Sequence, residues 1–285
     1  MKMSRVSVAA ALVCLFPLVA IAEDGSETKA SSASVISANT AAARVLFEDP
    51  MTGDWRENWF LDGKEATLRN GADGLYFAGG TITKAMDAVK YHAHHAVLWT
   101  KQEFAGDIRI SFEMTRKDDG DGATLLYIQA RGVGRPPYAK DIREWSSLRE
   151  IPAMPEYFNH MDLLSISLRE DLRLRRYPWN DKEGNAYPEN GLVEPKVDWP
   201  RMAPGDSYFV VVEKRNPLLT LRMYGKDREK PAVDHTWDMT KACEGRDPQW
   251  INEGRIGLRH MATRQLVYKN FRVAQLGATD DASSR

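Results

Sequence analysis

From Asp107 to Thr115 the chain alternates apolar and polar side chains without a break. Ile108, Ile110, Phe112 and Met114 share one face, and Arg109, Ser111, Glu113 and Thr115 the other. A period of two predicts a strand half buried in a sheet. The run Lys117-Asp118-Asp119-Gly120-Asp121-Gly122 follows and predicts a reversal, its glycines supplying positive φ. In the returning segment, 123–131, Leu126, Ile128 and Ala130 lie on one side, with Leu125, Tyr127, Gln129 and Arg131 opposite. The pattern predicts a hairpin whose second strand offers a Tyr/Gln/Arg face to a polar ligand.

The same alternation marks short strands at 45–47, 66–69, 75–77, 93–100, 163–169, 171–179, 208–214, 218–224, 254–260 and 266–274. Residues 132–157 hold four prolines and predict a long insertion with a short helix over 142–148; 180–204 reads as loop. No repeat and no long amphipathic helix interrupts this series. Many short strands with frequent turns predict an all-β sandwich of the jelly-roll type.

The N-terminus adds an address. Lys2 and Arg5 precede an apolar run from Val6 to Ala20, and Ala20-Ile21-Ala22 supplies the small residues of a cleavage site. Residues 1–22 therefore read as a signal peptide, which predicts a periplasmic or secreted protein with no integral membrane span once it is removed. The Ser/Ala/Thr-rich stretch 23–43 reads as a flexible leader, 44–276 as the sandwich and 277–285 as a disordered tail. Loss of Lys2 and Arg5 leaves 37 basic residues against 40 acidic ones, a net charge of −3. That balance argues against a nucleic-acid partner, which demands many phosphate-neutralising cations. Only Cys243 remains after cleavage, so no intramolecular disulfide is expected.

Several motifs resemble the YesU-like family of bacterial proteins, a domain of unknown function with a concanavalin A-like (lectin/glucanase) fold. His95-Ala96-Val97-Leu98-Trp99 is similar to its His-x-Val-x-Trp strand, and Pro155-Glu156-Tyr157 to its Pro-Glu-Tyr turn. Gly254-Arg255-Ile256-Gly257-Leu258-Arg259-His260-Met261 and Val267-Tyr268-Lys269-Asn270-Phe271 resemble its closing strands, with His260 where the family has Gln. The resemblance implies a sandwich with a curved sheet whose concave face binds saccharide in many relatives.

The Glu-x-Asp-x-x-Glu triplet of concanavalin-like glucanases is absent, as are Gly-x-Ser-x-Gly, His-Glu-x-x-His and a phosphate-cradling loop. Three constellations remain. His92, His94 and His95 cluster before a strand, and the family resemblance falls on His95. Arg173, Arg175, Tyr177 and Trp179 share a parity; guanidinium forks suit a carboxylate and an aromatic face suits a pyranose. Gln129, Arg131 and Arg259 join that face on alternation alone. The loop 155–162 holds Tyr157, His160, Glu156 and Asp162, groups that can move protons. The expected ligand is therefore an acidic saccharide. His95, Tyr157, His160 and Asp162 are the candidate catalytic residues for elimination or hydrolysis, and Gln129, Arg131, Arg173, Arg175, Tyr177, Trp179 and Arg259 the candidate binding residues. A noncatalytic saccharide-binding module is the alternative. No metal or other cofactor is assigned: the acidic turn 118–122 has carboxylates for a structural calcium but not the spacing of a calcium loop.

Overall fold

The computed structural model describes residues 44–277; the expected signal peptide, the leader and the tail past residue 277 lie outside the described residues. Sixteen strands form two antiparallel sheets packed face to face. The first runs β14 (Val233–Asp238), β13 (Leu218–Tyr224), β12 (Ser207–Arg215), β7 (Ile108–Arg116), β16 (Gln265–Gln275), β4 (Gly74–Ala78), β3 (Thr67–Gly71), with β1 (Arg44–Asp49) also on β16. The second runs β11 (Leu192–Asp198), β10 (Asp171–Tyr177), β9 (Met161–Leu168), β8 (Thr124–Gly132), β15 (Glu253–His260), β5 (Ala96–Thr100), β2 (Trp59–Asp62), with β6 (Phe104–Ala105) on β15.

The inner faces follow the alternation. Ile108, Ile110, Phe112 and Met114 of β7 meet Leu126 and Ile128 of β8, Leu164 and Ile166 of β9, and Leu172 and Leu174 of β10 in one continuous core. Trp59 and Trp237 belong to it, and Trp59 packs edge-on against Phe271 with ring centroids 4.9 Å apart. Cys243 is buried in this core as a free thiol, its pKa raised by burial.

The structure corrects the reading of 107–131. β7 and β8 do not pair; they lie in opposite sheets, and 117–123 crosses between them. Its glycines are needed for close approach and not for positive φ: a Cβ on Gly122 would stand 2.5 Å from the Ala262 carbonyl. The turn's inner carboxylate, Asp118, is occupied by Arg116 at 3.2 Å and Arg264 at 3.3 Å, so arginines stand where calcium was considered. Among the described residues no group of three or more His, Cys, Asp or Glu side chains could hold a metal ion.

Four strands fall where the alternation gives none: β2, β11 and β14 at sheet edges, and the two-residue β6. β11 was read as loop because Pro195 interrupts it, and edge strands tolerate proline. The helix expected over 142–148 is a 3-10 turn at Ser146–Arg149 followed by an α-helix at Met154–His160. His92 and His94 lie in a 3-10 turn, Lys90–His94, instead of sharing a strand face.

Candidate functional site

The outer face of the second sheet is formed by Val97, Trp99, Leu125, Tyr127, Leu163 and Tyr177. It is not bare. Ile142, Trp145 and Tyr157, from the insertion between β8 and β9, pack on it as a second apolar cluster. The anchor is Asp62 at the end of β2, whose side chain is almost fully buried. Its Oδ2 accepts from Trp99 Nε1 at 2.7 Å, Arg149 Nε at 2.6 Å and Tyr157 Oη at 3.1 Å. Arg149 also donates to the carbonyls of Ile142 and Trp145, so one guanidinium ties the insertion to the sheet. Above Gly257 the Trp99 ring lies so close that a Cβ there would approach it to 2.5 Å.

Four of the predicted residues converge at this buried centre. Arg259 donates through Nη2 to His95 Nδ1 at 3.0 Å and to the Pro152 carbonyl at 2.7 Å, and its guanidinium lies 4.4 Å from the centre of the Tyr157 ring. Tyr127, Trp99 and Tyr157 form a triangle of near-parallel rings with centroids 5.5, 5.8 and 6.4 Å apart, and Tyr127 meets Tyr177 edge-on. His95, Tyr157 and Arg259 are wholly buried, and Tyr177 is 1% exposed.

Burial changes what these groups can do. Arginine only donates, so His95 Nδ1 must accept and the ring proton resides on Nε2. The basic lone pair that proton abstraction needs is thus occupied, and the Nε2 proton is buried without an acceptor. Burial, with the Arg259 charge adding to it, pushes His95 down to about 3. Tyr157 spends its proton on Asp62, and burial next to that carboxylate holds its hydroxyl well above the ordinary tyrosine value. These two of the four candidate catalytic residues are structural partners of the insertion.

The binding assignments divide. Arg173 and Arg175 do lie on the outer face, opposite Ser167 and Ser165 of β9, and both are half-buried. Arg173 is paired with Asp171. Arg175 donates to the carbonyls of Glu189 and Asn190 and lies over Trp179, with 5.6 Å from guanidinium to ring centre. Trp179 is stacked on Phe158 at 3.6 Å, so its ring is engaged by protein and is no free platform for a sugar. Gln129 and Arg131 leave the face altogether. Gln129 adopts φ 51° where the register shifts between Ile128 and Arg131, and the bulge reverses the parity beyond it. Gln129 becomes a buried brace for the carbonyls of Phe104, Gly106 and Asn252, while Arg131 pairs with Glu253. His160 is stacked on Tyr138 at 3.7 Å, and burial lowers its pKa.

Asp162 points elsewhere, into an open cleft at the rim of the sandwich. The cleft has a volume of about 250 Å³ and is lined by Asp162, Arg176, Asn180, Lys182, Tyr187 and Arg246, among others. Arg176 and Arg246 are 1% and 7% exposed. Alternation could not find Arg176, because Arg175-Arg176-Tyr177 hides an inward residue between two outward ones. Asp62 and Arg149 were also missed; neither stands in a recognisable motif.

Comparison with known proteins supports the architecture. No family model matches the chain, and no curated protein matches its sequence. Among solved structures, a protein of unknown function with a galectin-like fold from Bacillus subtilis superposes with a TM-score of 0.59 at 16% identity, covering 82% of this chain and 97% of that one. The carbohydrate binding module CBM66 from Bacillus subtilis superposes at 0.40 with 14% identity, covering 76% and 96%. A Bacillus licheniformis β-glucanase superposes at 0.46 with 8% identity, covering 83% and 99%. At such identities the likeness concerns the fold alone. The class is an all-β sandwich of the galectin-like and concanavalin A-like type.

Proposed function

We propose that the chain is an exported saccharide-binding protein that takes an acidic sugar on the outer face of its second sheet, as a divergent YesU-like domain. One observation carries this reading. Arg175 and Arg259 flank Tyr177 on that face, and among the described residues neither has a carboxylate partner. No ion pair engages either guanidinium, and at Arg175, which only the more distant Glu189 and Glu194 oppose, this favours a ligand that brings its own carboxylate. Arg175 is the accessible end of the pair; Arg259 sits deeper, beneath Tyr157 and Pro152.

Binding is favoured over elimination because His95 and Tyr157 are sealed and committed to other partners, and His160, the other candidate base, is stacked on Tyr138. Hydrolysis is a second reading on one observation: burial raises the carboxyl of Glu156, on the helix above the cluster, as a general acid would need. Calorimetric titration with pectic, alginate and glycosaminoglycan oligosaccharides tests the proposal. At least one acidic oligomer binds saturably and more weakly as salt is added, while neutral oligomers do not bind. Indifference to every acidic oligomer removes the proposal. An unsaturated, ultraviolet-absorbing product or new reducing ends would instead establish turnover.

A further inference from the structure

The rim cleft holds a second set of guanidiniums, buried and with unmet hydrogen-bond donors. Arg176 and Arg246 line it beside the carboxylate of Asp162, which Lys140 also approaches. Asp162 Oδ2 lies 3.3 Å from Lys140 Nζ, and Asp162 Oδ1 lies 3.6 Å from Arg176 Nη2. Arg246 has no carboxylate at all; it donates to the carbonyls of Ala242 and Pro178 and lies 3.7 Å over the Tyr187 ring. Arg176 donates to the Pro248 carbonyl at 3.1 Å, but its Nε and Nη1 are buried and have no acceptor.

Of the three other acids that line the cleft, two are already engaged, and Glu183 is the third. Asp247 pairs with Lys182 at 2.9 Å, and Asp181 accepts from Glu183 and Asn185 within its own turn. Burial lowers Arg246 to about 10, and the neighbouring Arg176 charge adds to that. Burying cations without matching anions is costly, and an anion that completes the set recovers part of that cost.

We infer that this cleft is a carboxylate-binding site, with Arg176 receiving the carboxylate and Asn180 and Tyr187 available to the hydroxyls of a small sugar acid. The cleft is open and its volume of about 250 Å³ has room for a sugar ring. The inference does not depend on the outer-face proposal, since no residue is shared.

The test uses the described fold as full-length protein, with glucuronate, acetate and glucose as probes and chemical shifts or calorimetry as readout. Glucuronate and acetate bind saturably and glucose does not; glucuronate binding more tightly than acetate identifies a sugar acid, equal binding a simple carboxylate. Arg176→Gln weakens the carboxylate at least about tenfold, the loss of a charge-assisted bond. Asp162→Asn tightens it, because the competing carboxylate is gone. That second variant decides the matter if Arg176→Gln does not fold. Glucuronate binding to Arg175→Gln protein, whose outer face is impaired, separates failure of the outer-face proposal from failure of this one. No saturable carboxylate binding, glucose binding equal to glucuronate, or weaker binding by Asp162→Asn would overturn the inference.

Discussion

Arg259 fixes the chemistry of its neighbour: by donating to His95 Nδ1 it leaves a neutral imidazole that burial holds down to about 3. The unfolded chain takes up a proton on this histidine below about pH 6.5, whereas the folded chain does not until about pH 3. The contribution is therefore complete above pH 6.5 and is lost as pH falls towards 3. Burial pushes His260 in the same direction; it is stacked on Phe77 at 4.1 Å and bonded to Tyr268 Oη at 2.8 Å. Urea unfolding at pH 7 and pH 5 is expected to show a loss of about 1–2 kcal/mol per histidine, and His95→Asn is expected to flatten the slope. An unchanged slope in that variant would count against the buried neutral form.

Residue identity was legible for this cluster, residue function was not. The motif around His95 and the parity of Tyr177 with Arg175 located groups that do converge. The sequence cannot show that an insertion lying between His95 and Tyr177 in the chain seals them.

At the scale of elements, the buried carboxylate of Asp62 anchors the insertion 133–160 to the sheet, with Arg255–Asp141 at 2.9 Å and Arg259 to the Pro152 carbonyl as further ties. Asp62→Ala strips Arg149 of its counter-charge and leaves Trp99 and Tyr157 without an acceptor. A loss of about 3–5 kcal/mol is expected for breaking such a buried pair, measured as a lower denaturant midpoint, with faster proteolysis within 133–160. Tyr157→Phe removes one bond to the same carboxylate and is expected to cost about 1–3 kcal/mol. Gly257→Ala drives a methyl against the Trp99 ring; a loss of about 1–3 kcal/mol is expected, and an unaffected variant would show that the ring can shift.

Element boundaries show why pattern reading stops where it does. β7 was legible over its whole length because one face is core and the other is wet. β8 was legible only as far as Ile128: the bulge at Gln129 shifts the register, and a shift of one residue exchanges faces. β11 was illegible because its proline is permitted only by its edge position, a property of the sheet and not of the segment.

Across the whole molecule, composition and periodicity were enough for a β-sandwich, and the superposition on a galectin-like structure agrees. Periodicity could not assign strands to sheets, so β7 and β8 were read as a hairpin although a crossing segment separates them. The charge pattern was equally hidden. Thirty-nine basic and forty acidic residues look balanced in the sequence, yet the fold leaves Arg175 and Arg259 on one face and Arg246 in the cleft without an ion-pair partner, while Arg176 shares Asp162 with Lys140. That local imbalance, and not the net charge, is the basis for expecting an acidic ligand.

A crystal structure with a bound oligouronate measures this most directly. The ligand is expected on the outer face of the second sheet, with a carboxylate oxygen within hydrogen-bonding distance of the Arg175 guanidinium and with Arg175→Gln crystals showing no density there. A uronate chain seated away from Arg175, or bound identically by the Arg175→Gln protein, would contradict the account.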